Sequence, residues 1–211
     1  MRRALLAIGS VALLLAGCKA DLKADVALSE LNGAPAYLNS ILSVEVSSCA
    51  EYGTDFESSS LLELKARVPV VFPKSTYLGC KSSGFETRAT FAVPIRLGPI
   101  NGECSDHDIC LGPSSEDPTL YLMSAGSEFR SNYKKLGNSE FSEIEPLITI
   151  GFTNDSDGDL HLTAFGLYVN DKPVPFAVMQ VRRARYAELK LSNVAVDGIL
   201  EGQIVPLFVL E

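Results

Sequence analysis

Apolar and polar residues alternate along several stretches of the chain, and that period of two predicts strands. Leu22, Ala24, Val26 and Leu28 alternate with their neighbours until Gly33-Ala34-Pro35 breaks the run. Leu42, Val44 and Val46 form a second alternating run that ends at Cys49. The clearest pattern is Thr87 to Leu97. Thr87, Ala89, Phe91, Val93, Ile95 and Leu97 share one face, with Arg88, Thr90 and Arg96 on the other. Pro94 places that strand at a sheet edge or at a bulge, because proline brings no donor to a ladder. The stretch Ser58 to Val68 fits two periods. Leu62, Leu64, Ala66 and Val68 alternate, yet Ser60 and Glu63 have capping-box spacing and the composition favours helix. A helix stopped by Pro69 is the expectation. Ser127 to Leu136 predicts a second short helix, with Phe129, Tyr133 and Leu136 on one face and Gly137 as its stop.

Residues 98–118 are rich in Gly, Pro, Ser and Asp and predict one long loop. Beyond it the chain is strand-dense. Leu147 to Phe152 and Leu160 to Val169 flank Thr153-Asn154-Asp155-Ser156-Asp157-Gly158-Asp159, which predicts a hairpin. Phe176 to Val181, Leu189 to Val196 and Ile204 to Leu210 add strands. Asn170-Asp171-Lys172-Pro173 and Asp197-Gly198 supply turn chemistry. No repeat, low-complexity tract or linker divides the chain. The expectation is a single α+β domain with a mostly antiparallel sheet and one or two short helices; an all-β sandwich is the alternative. The 211 residues, 46% apolar and 21% charged, suffice for one packed core.

The N-terminus changes the picture. Arg2 and Arg3 precede an apolar run from Ala4 to Ala16, interrupted only by Gly9 and Ser10. These proportions are those of a signal peptide, too short for a comfortable membrane span. The run ends in Leu15-Ala16-Gly17-Cys18, which resembles the lipobox of bacterial lipoproteins. The resemblance implies cleavage after residue 17 and a thioether-linked diacylglycerol on Cys18, with palmitate among its acyl chains. It covers residues 1 to about 20 and implies nothing about the domain of residues 18–211 behind it. Lys19, rather than Asp, follows the cysteine and leans the expectation toward the outer membrane, facing the periplasm.

Charge narrows the partners. The formal net charge is −8, and −10 once Arg2 and Arg3 are removed. An acidic chain lacks the concentrated basic surface that nucleic acid or a polybasic membrane contact requires. The expectation is therefore no nucleic acid, attachment to a membrane through the N-terminal lipid, and another envelope protein as partner. The one dense basic cluster, Arg182, Arg183 and Arg185, reads as an exposed turn balancing surplus carboxylates.

With Cys18 assigned to lipid, four cysteines remain, an even number in an exported chain, which reads as two disulfides with three possible connectivities. Cys104 and Cys110 bracket only Ser-Asp-His-Asp-Ile and can close on themselves, leaving Cys49 with Cys80. A metal site on Cys104, His107 and Cys110 is the alternative, with a spacing unusual for zinc.

Two polar constellations stand out. Asp106-His107-Asp108 sets an imidazole between carboxylates, and its loop is the expected contact region. Asp155, Asp157 and Asp159 resemble part of a calcium loop, but the twelfth position is Ala164 where a bidentate Glu is needed; a solvated hairpin tip explains them. His161 reads as a strand-surface residue. No nucleophile elbow, zinc-protease or phosphate-loop motif is present in the sequence, and no cofactor or metal is expected. The leading expectation is a non-enzymatic, lipid-anchored envelope protein. The alternatives are an envelope hydrolase with an unrecognised carboxylate site, or a phage or mobile-element lipoprotein acting in superinfection exclusion.

Overall fold

The structure, a computed structural model, describes residues 19–84, 86–102, 104–137, 145–169 and 171–211. The signal segment and Cys18 lie outside the described residues. Strands β1 (Lys19–Ala27) and β2 (Ala36–Glu45) flank the one-turn helix α1 (Leu28–Leu31). Helix α2 (Ser59–Val71) leads to β3 (Thr76–Ser83) and β4 (Glu86–Leu97), then β5 (Ile109–Pro113) and β6 (Leu120–Ala125). Helix α3 (Ser127–Gly137) precedes β7 (Glu145–Thr153), β8 (Leu160–Val169), β9 (Lys172–Val181) and β10 (Tyr186–Lys190). Helix α4 (Asn193–Glu201) and β11 (Val205–Leu210) complete the chain.

Among the described residues all eleven strands belong to one sheet, ordered β10-β7-β1-β2-β4-β5-β6-β11-β8-β9, with β3 on β4. Most pairs are antiparallel, as expected; β1 with β7 and β4 with β5 are parallel. β8 pairs β11 over Leu162–Ala164, then meets Leu191 beyond β10 through a bridge at Leu167. The Ser192 N–H donates to the Gly166 carbonyl at 2.6 Å beside it. The sheet therefore nearly closes into a barrel. The α+β expectation fits only loosely: strands dominate and the four helices are short, which points toward the all-β alternative. It is one near-closed sheet, however, and not a sandwich of two.

The alternating runs do what their period requires. In β1, Ala20, Leu22, Ala24 and Val26 are buried, and in β4, Ala89, Phe91, Val93, Ile95 and Leu97 are buried. The barrel core centres on Phe208, with Tyr121 stacked on it at 4.5 Å and Phe152 at 5.3 Å. Pro94 is not on an edge strand: β4 has β2 along one side and β3 and β5 along the other. Pro94 sits where β3 has ended, at Ala92, and β5 has not begun, at Arg96. A residue without an N–H is tolerated in such an interruption.

Several expectations are corrected. β7 and β8 form no hairpin; β7 lies between β1 and β10, and β8 between β11 and β9. The intervening polar segment turns a corner of the barrel. The stretch 98–118 is not one loop, since β5 crosses it as a buried strand. The inner face of β5 joins the main core through Ile109 and Leu111. Outside it, Cys110 packs with Ile100, Cys104 and Leu122 in a small second cluster. Gly112 is required there, because a Cβ would stand 2.1 Å from the Gly98 carbonyl oxygen. Helix α2 forms as expected, but its cap is Ser58, whose Oγ accepts from the Leu61 N–H, and it runs through Pro69 to Val71. The strand expected over Leu189–Val196 ends early. Ser192 caps α4 by accepting from Ala195, and Asp197-Gly198 is helix rather than turn. Gly202, at φ 98°, closes it.

Helices α2, α3 and α4 gather at the end of the barrel where β1 begins. There Ala20, Leu22, Val68, Phe129, Val196 and Ile199 help line an apolar cavity of about 70 Å³. Its lining exposes no polar surface with which to orient a ligand.

Candidate functional site

Cys104 and Cys110 are disulfide-bonded, with Cα atoms 5.8 Å apart, and Cys49 is bonded to Cys80, with Cα atoms 5.6 Å apart. This is the expected pairing. It disposes of the metal alternative on Cys104, His107 and Cys110, since a disulfide has no thiolate to give.

The Cys104–Cys110 ring is docked rather than free. The Asp108 N–H donates to the Ser105 carbonyl at 2.9 Å, closing a turn inside it. The Asp106 carbonyl accepts the Phe129 N–H at 2.8 Å, and the Asp106 carboxylate accepts the Ser127 hydroxyl at 2.9 Å. The ring thus satisfies the Phe129 N–H in the first turn of α3, which would otherwise lack a helical partner. Gly126 makes the approach possible: a Cβ there would lie 2.0 Å from the Ser105 carbonyl oxygen.

His107 does not pair with its sequence neighbours. Its Nε2 is 2.6 Å from Glu128 Oε2, and both side chains are about half exposed. Asp108 instead accepts from the Tyr37 hydroxyl at 3.0 Å and from the Ser105 hydroxyl. Lys74 Nζ lies over the Tyr37 ring, 4.4 Å from its centroid, a cation–π arrangement. Tyr37, Lys74, Pro94 and the ring border an open groove of about 340 Å³. The groove offers carboxylates, the His107 imidazole, an ammonium and an aromatic face, and Phe72, Pro73 and Pro94 add apolar lining, which suits a contact surface of mixed polarity. Tyr37, Lys74 and Glu128 were not singled out by sequence pattern, because they come from β2, the α2–β3 connection and α3.

The other constellation does not converge. Asp155 accepts from the Ser29 N–H at 3.0 Å and from its hydroxyl, tying the barrel corner to α1. Those donors hold the Asp155 carboxyl below the usual carboxylate range. Its contribution is therefore present above the ordinary Asp value and is lost as pH falls through the depressed one. Asp159 accepts from the Arg183 N–H at 2.9 Å, and Asp157 lies 3.5 Å from the Arg183 guanidinium. The carboxylates are engaged by the protein itself, Asp155 by Ser29 and both Asp157 and Asp159 by Arg183. Among the described residues no group of three or more His, Cys, Asp or Glu is placed to hold a metal. His161 is exposed on β8, as expected.

Asn154, read only as part of a turn, is fully buried and organises that corner. Its Nδ2 donates to the Gly158 and Val181 carbonyls, each at 2.8 Å, and its Oδ1 accepts from Ser156 N–H and hydroxyl. Asn154→Ala is expected to lower stability by about 2–3 kcal/mol, leaving buried partners unpaired. Urea unfolding checks this, and Asn154→Asp should not restore the loss, because it supplies no donor.

A second exposed cluster crosses β1, β7 and β10. Lys23 Nζ is 2.6 Å from Glu188, and the Tyr186 hydroxyl donates to Asp25 at 2.8 Å. The bond to Glu188 raises the Lys23 ammonium, and desolvation, chiefly, pushes the Tyr186 phenol up to about 12. Gly151 leaves the space these side chains cross: a Cβ there would meet Asp25 at 1.9 Å and the Tyr186 hydroxyl at 2.3 Å. The cluster's ammonium, two carboxylates and phenol all engage one another and tie β1 to β10 across β7.

Residues 20–211 match a family model described as a domain of unknown function, DUF7424. No curated protein matches the sequence.

Proposed function

We propose that this chain, which belongs to the DUF7424 family, is a lipid-anchored envelope protein with a non-enzymatic binding role, exposed to the periplasm. The observation that carries the reading is an adjacency. The barrel's first strand begins at Lys19, immediately after the lipobox cysteine Cys18. No tether separates fold and anchor, so the acyl chains would hold the barrel itself at the membrane surface. Two disulfides support an oxidising compartment. With a net charge of −10 after processing, attachment falls to the acyl chains, and two or more hold a protein stably. The Cys104–Cys110 ring and its groove are the proposed contact surface for another envelope protein.

Cys18→Ser is expected to abolish labelling by radioactive palmitate and to leave an uncleaved or unanchored precursor. Equal label in both proteins would contradict the reading. The contact surface has its own test. Replacing Asp106, His107 and Asp108 together with Ala is expected to cost about 1 kcal/mol, since exposed pairs and hydrogen bonds contribute little each. It should remove the species cross-linked to the wild-type protein in membranes. Retention of that species, with its loss in an Asp155/Asp157/Asp159 triple variant, would show that the other loop makes the contact.

A further inference from the structure

We infer that the tip of the loop between β2 and α2, carrying Tyr52 and Phe56, enters the interfacial layer of the phospholipid bilayer in which Cys18 is anchored. The inference rests on the anchor reading and adds an orientation to it.

Strand registers place the tip at the anchored end. Lys19 pairs with Glu145 in β7, while Ala20 pairs with Val44 in β2, so β2 reaches the level of Lys19 at Glu45. Glu45 pairs with Arg88, and the Val46 N–H adds one more bond, to the Thr87 carbonyl at 2.9 Å. The chain after Val46 therefore leaves the barrel beside the point where Cys18 joins it. The opposite end begins at Ala27, which pairs with Thr153. Eight residues separate Lys19 from Ala27, about 26 Å at roughly 3.3 Å per residue.

The tip is held rigidly while its aromatic residues are left uncovered. The Cys49–Cys80 disulfide fastens its base to β3. Ala50 bridges Glu57, and the Glu51 N–H donates to the Phe56 carbonyl at 2.9 Å. Gly53, at φ 74°, supplies the turn. Tyr52 is 103% exposed and Phe56 77% exposed, while Phe72, Phe91, Phe129, Phe152 and Phe208 are buried. Aromatic side chains presented on a fixed scaffold suit the headgroup region, where one end is apolar and the other wet.

Two of the three acidic neighbours are engaged within the protein, and the third, Asp55, is exposed at the tip, where an interfacial depth keeps its carboxylate among hydrated headgroups. Glu57 is paired with Lys65 at 2.8 Å, and Glu51 accepts the Ser59 N–H at 3.0 Å. The contact is thus aromatic rather than ionic, and it should be insensitive to salt and independent of anionic lipid.

The sequence contains no Trp, so a single introduced Trp reports its own surroundings. Tyr52→Trp, Phe56→Trp and, at the opposite end, Asp157→Trp are made in the full-length chain, matured in bacterial membranes and reconstituted in phosphatidylcholine vesicles with brominated acyl chains. Mass spectrometry of the N-terminal peptide reports the anchor on the same samples. At positions 52 and 56 the emission should shift blue and fall by roughly half or more on brominated lipid, the depth of an interfacial side chain; at 157 it should not change. If Cys18 carries its diacylglycerol and positions 52 and 56 are quenched no more than 157, the tip contact is wrong and the anchor stands. An unmodified Cys18 overturns the anchor, and quenching at 52 and 56 alone would then support the tip contact without it.

Discussion

Phe208→Ala is expected to destabilise the barrel by about 3–5 kcal/mol, the range for truncating a fully buried Phe. Phe208 has no solvent exposure. It pairs with Tyr121 across β6 and with Ala164 across β8, and its ring contacts those of Tyr121 and Phe152. The cavity cannot collapse easily, because Tyr121 is held from its other end: its hydroxyl donates to Asn32 at 2.7 Å. Equilibrium unfolding in urea provides the measurement. Phe208→Leu, which retains most of the volume, should recover more than half of the loss. A change below about 1 kcal/mol for Phe208→Ala would mean that the ring is not at the centre of the core.

Removing the Cys49–Cys80 disulfide by a Cys49→Ser/Cys80→Ser double substitution is expected to cost about 3–4 kcal/mol, on the chain-entropy model for a separation of 31 residues. For a domain of this size that corresponds to a melting temperature lower by roughly 10 °C. The loop it closes contains all of α2 and the aromatic tip. The expected loss is therefore concentrated at the end of the barrel where β1 begins, and hydrogen exchange should rise first in residues 46–58 and α2. The equivalent change at Cys104 and Cys110 should cost less, since that loop spans a separation of only 6 residues. Equal losses for the two pairs would contradict the entropic account.

Legibility of the fold followed the range of the interactions. β1 and β4 were readable because one face of each is buried, so polarity alternates residue by residue. α2 was readable through its composition, although Leu62 and Val70 point outward and blur its helical period. The β7–β8 corner was not readable. A polar segment with Asp and Gly between two strands looks the same whether the strands pair with each other or diverge. The partner of β7 is β1, more than a hundred residues earlier, and only assembly of the sheet reveals it. β5 was hidden because five buried residues, among them Gly112 and Pro113, carry no alternation when both faces are covered. α4 had its signals in Ser192 and Gly202. They were outweighed by the apolar run Leu189–Val196, and by Asp197-Gly198, whose glycine serves packing: a Cβ there would lie 3.3 Å from Val205.

The candidate site divides in the same way. Cysteine spacing led to both disulfides, and the short ring identified Asp106, His107 and Asp108 as presented together. Their partners Ser127, Glu128 and Tyr37 come from α3 and β2 and leave no local trace. Asn154 shows the reverse. Its residue type suggested a turn, but full burial makes it a structural hub, and burial is a property of the assembled fold. Tyr52 and Phe56 were not singled out, because exposed aromatics in a loop look in sequence like core residues.

The central claim is that Cys18 is the lipidated first residue of the mature protein and holds the barrel directly at the membrane. Mass spectrometry of the N-terminal peptide of the protein isolated from bacterial membranes tests it most directly. The account predicts a peptide that begins at Cys18 and carries a thioether-linked diacylglycerol. A peptide that begins upstream with Arg2 and Arg3 retained, or one that begins at Cys18 with a free thiol, would contradict it.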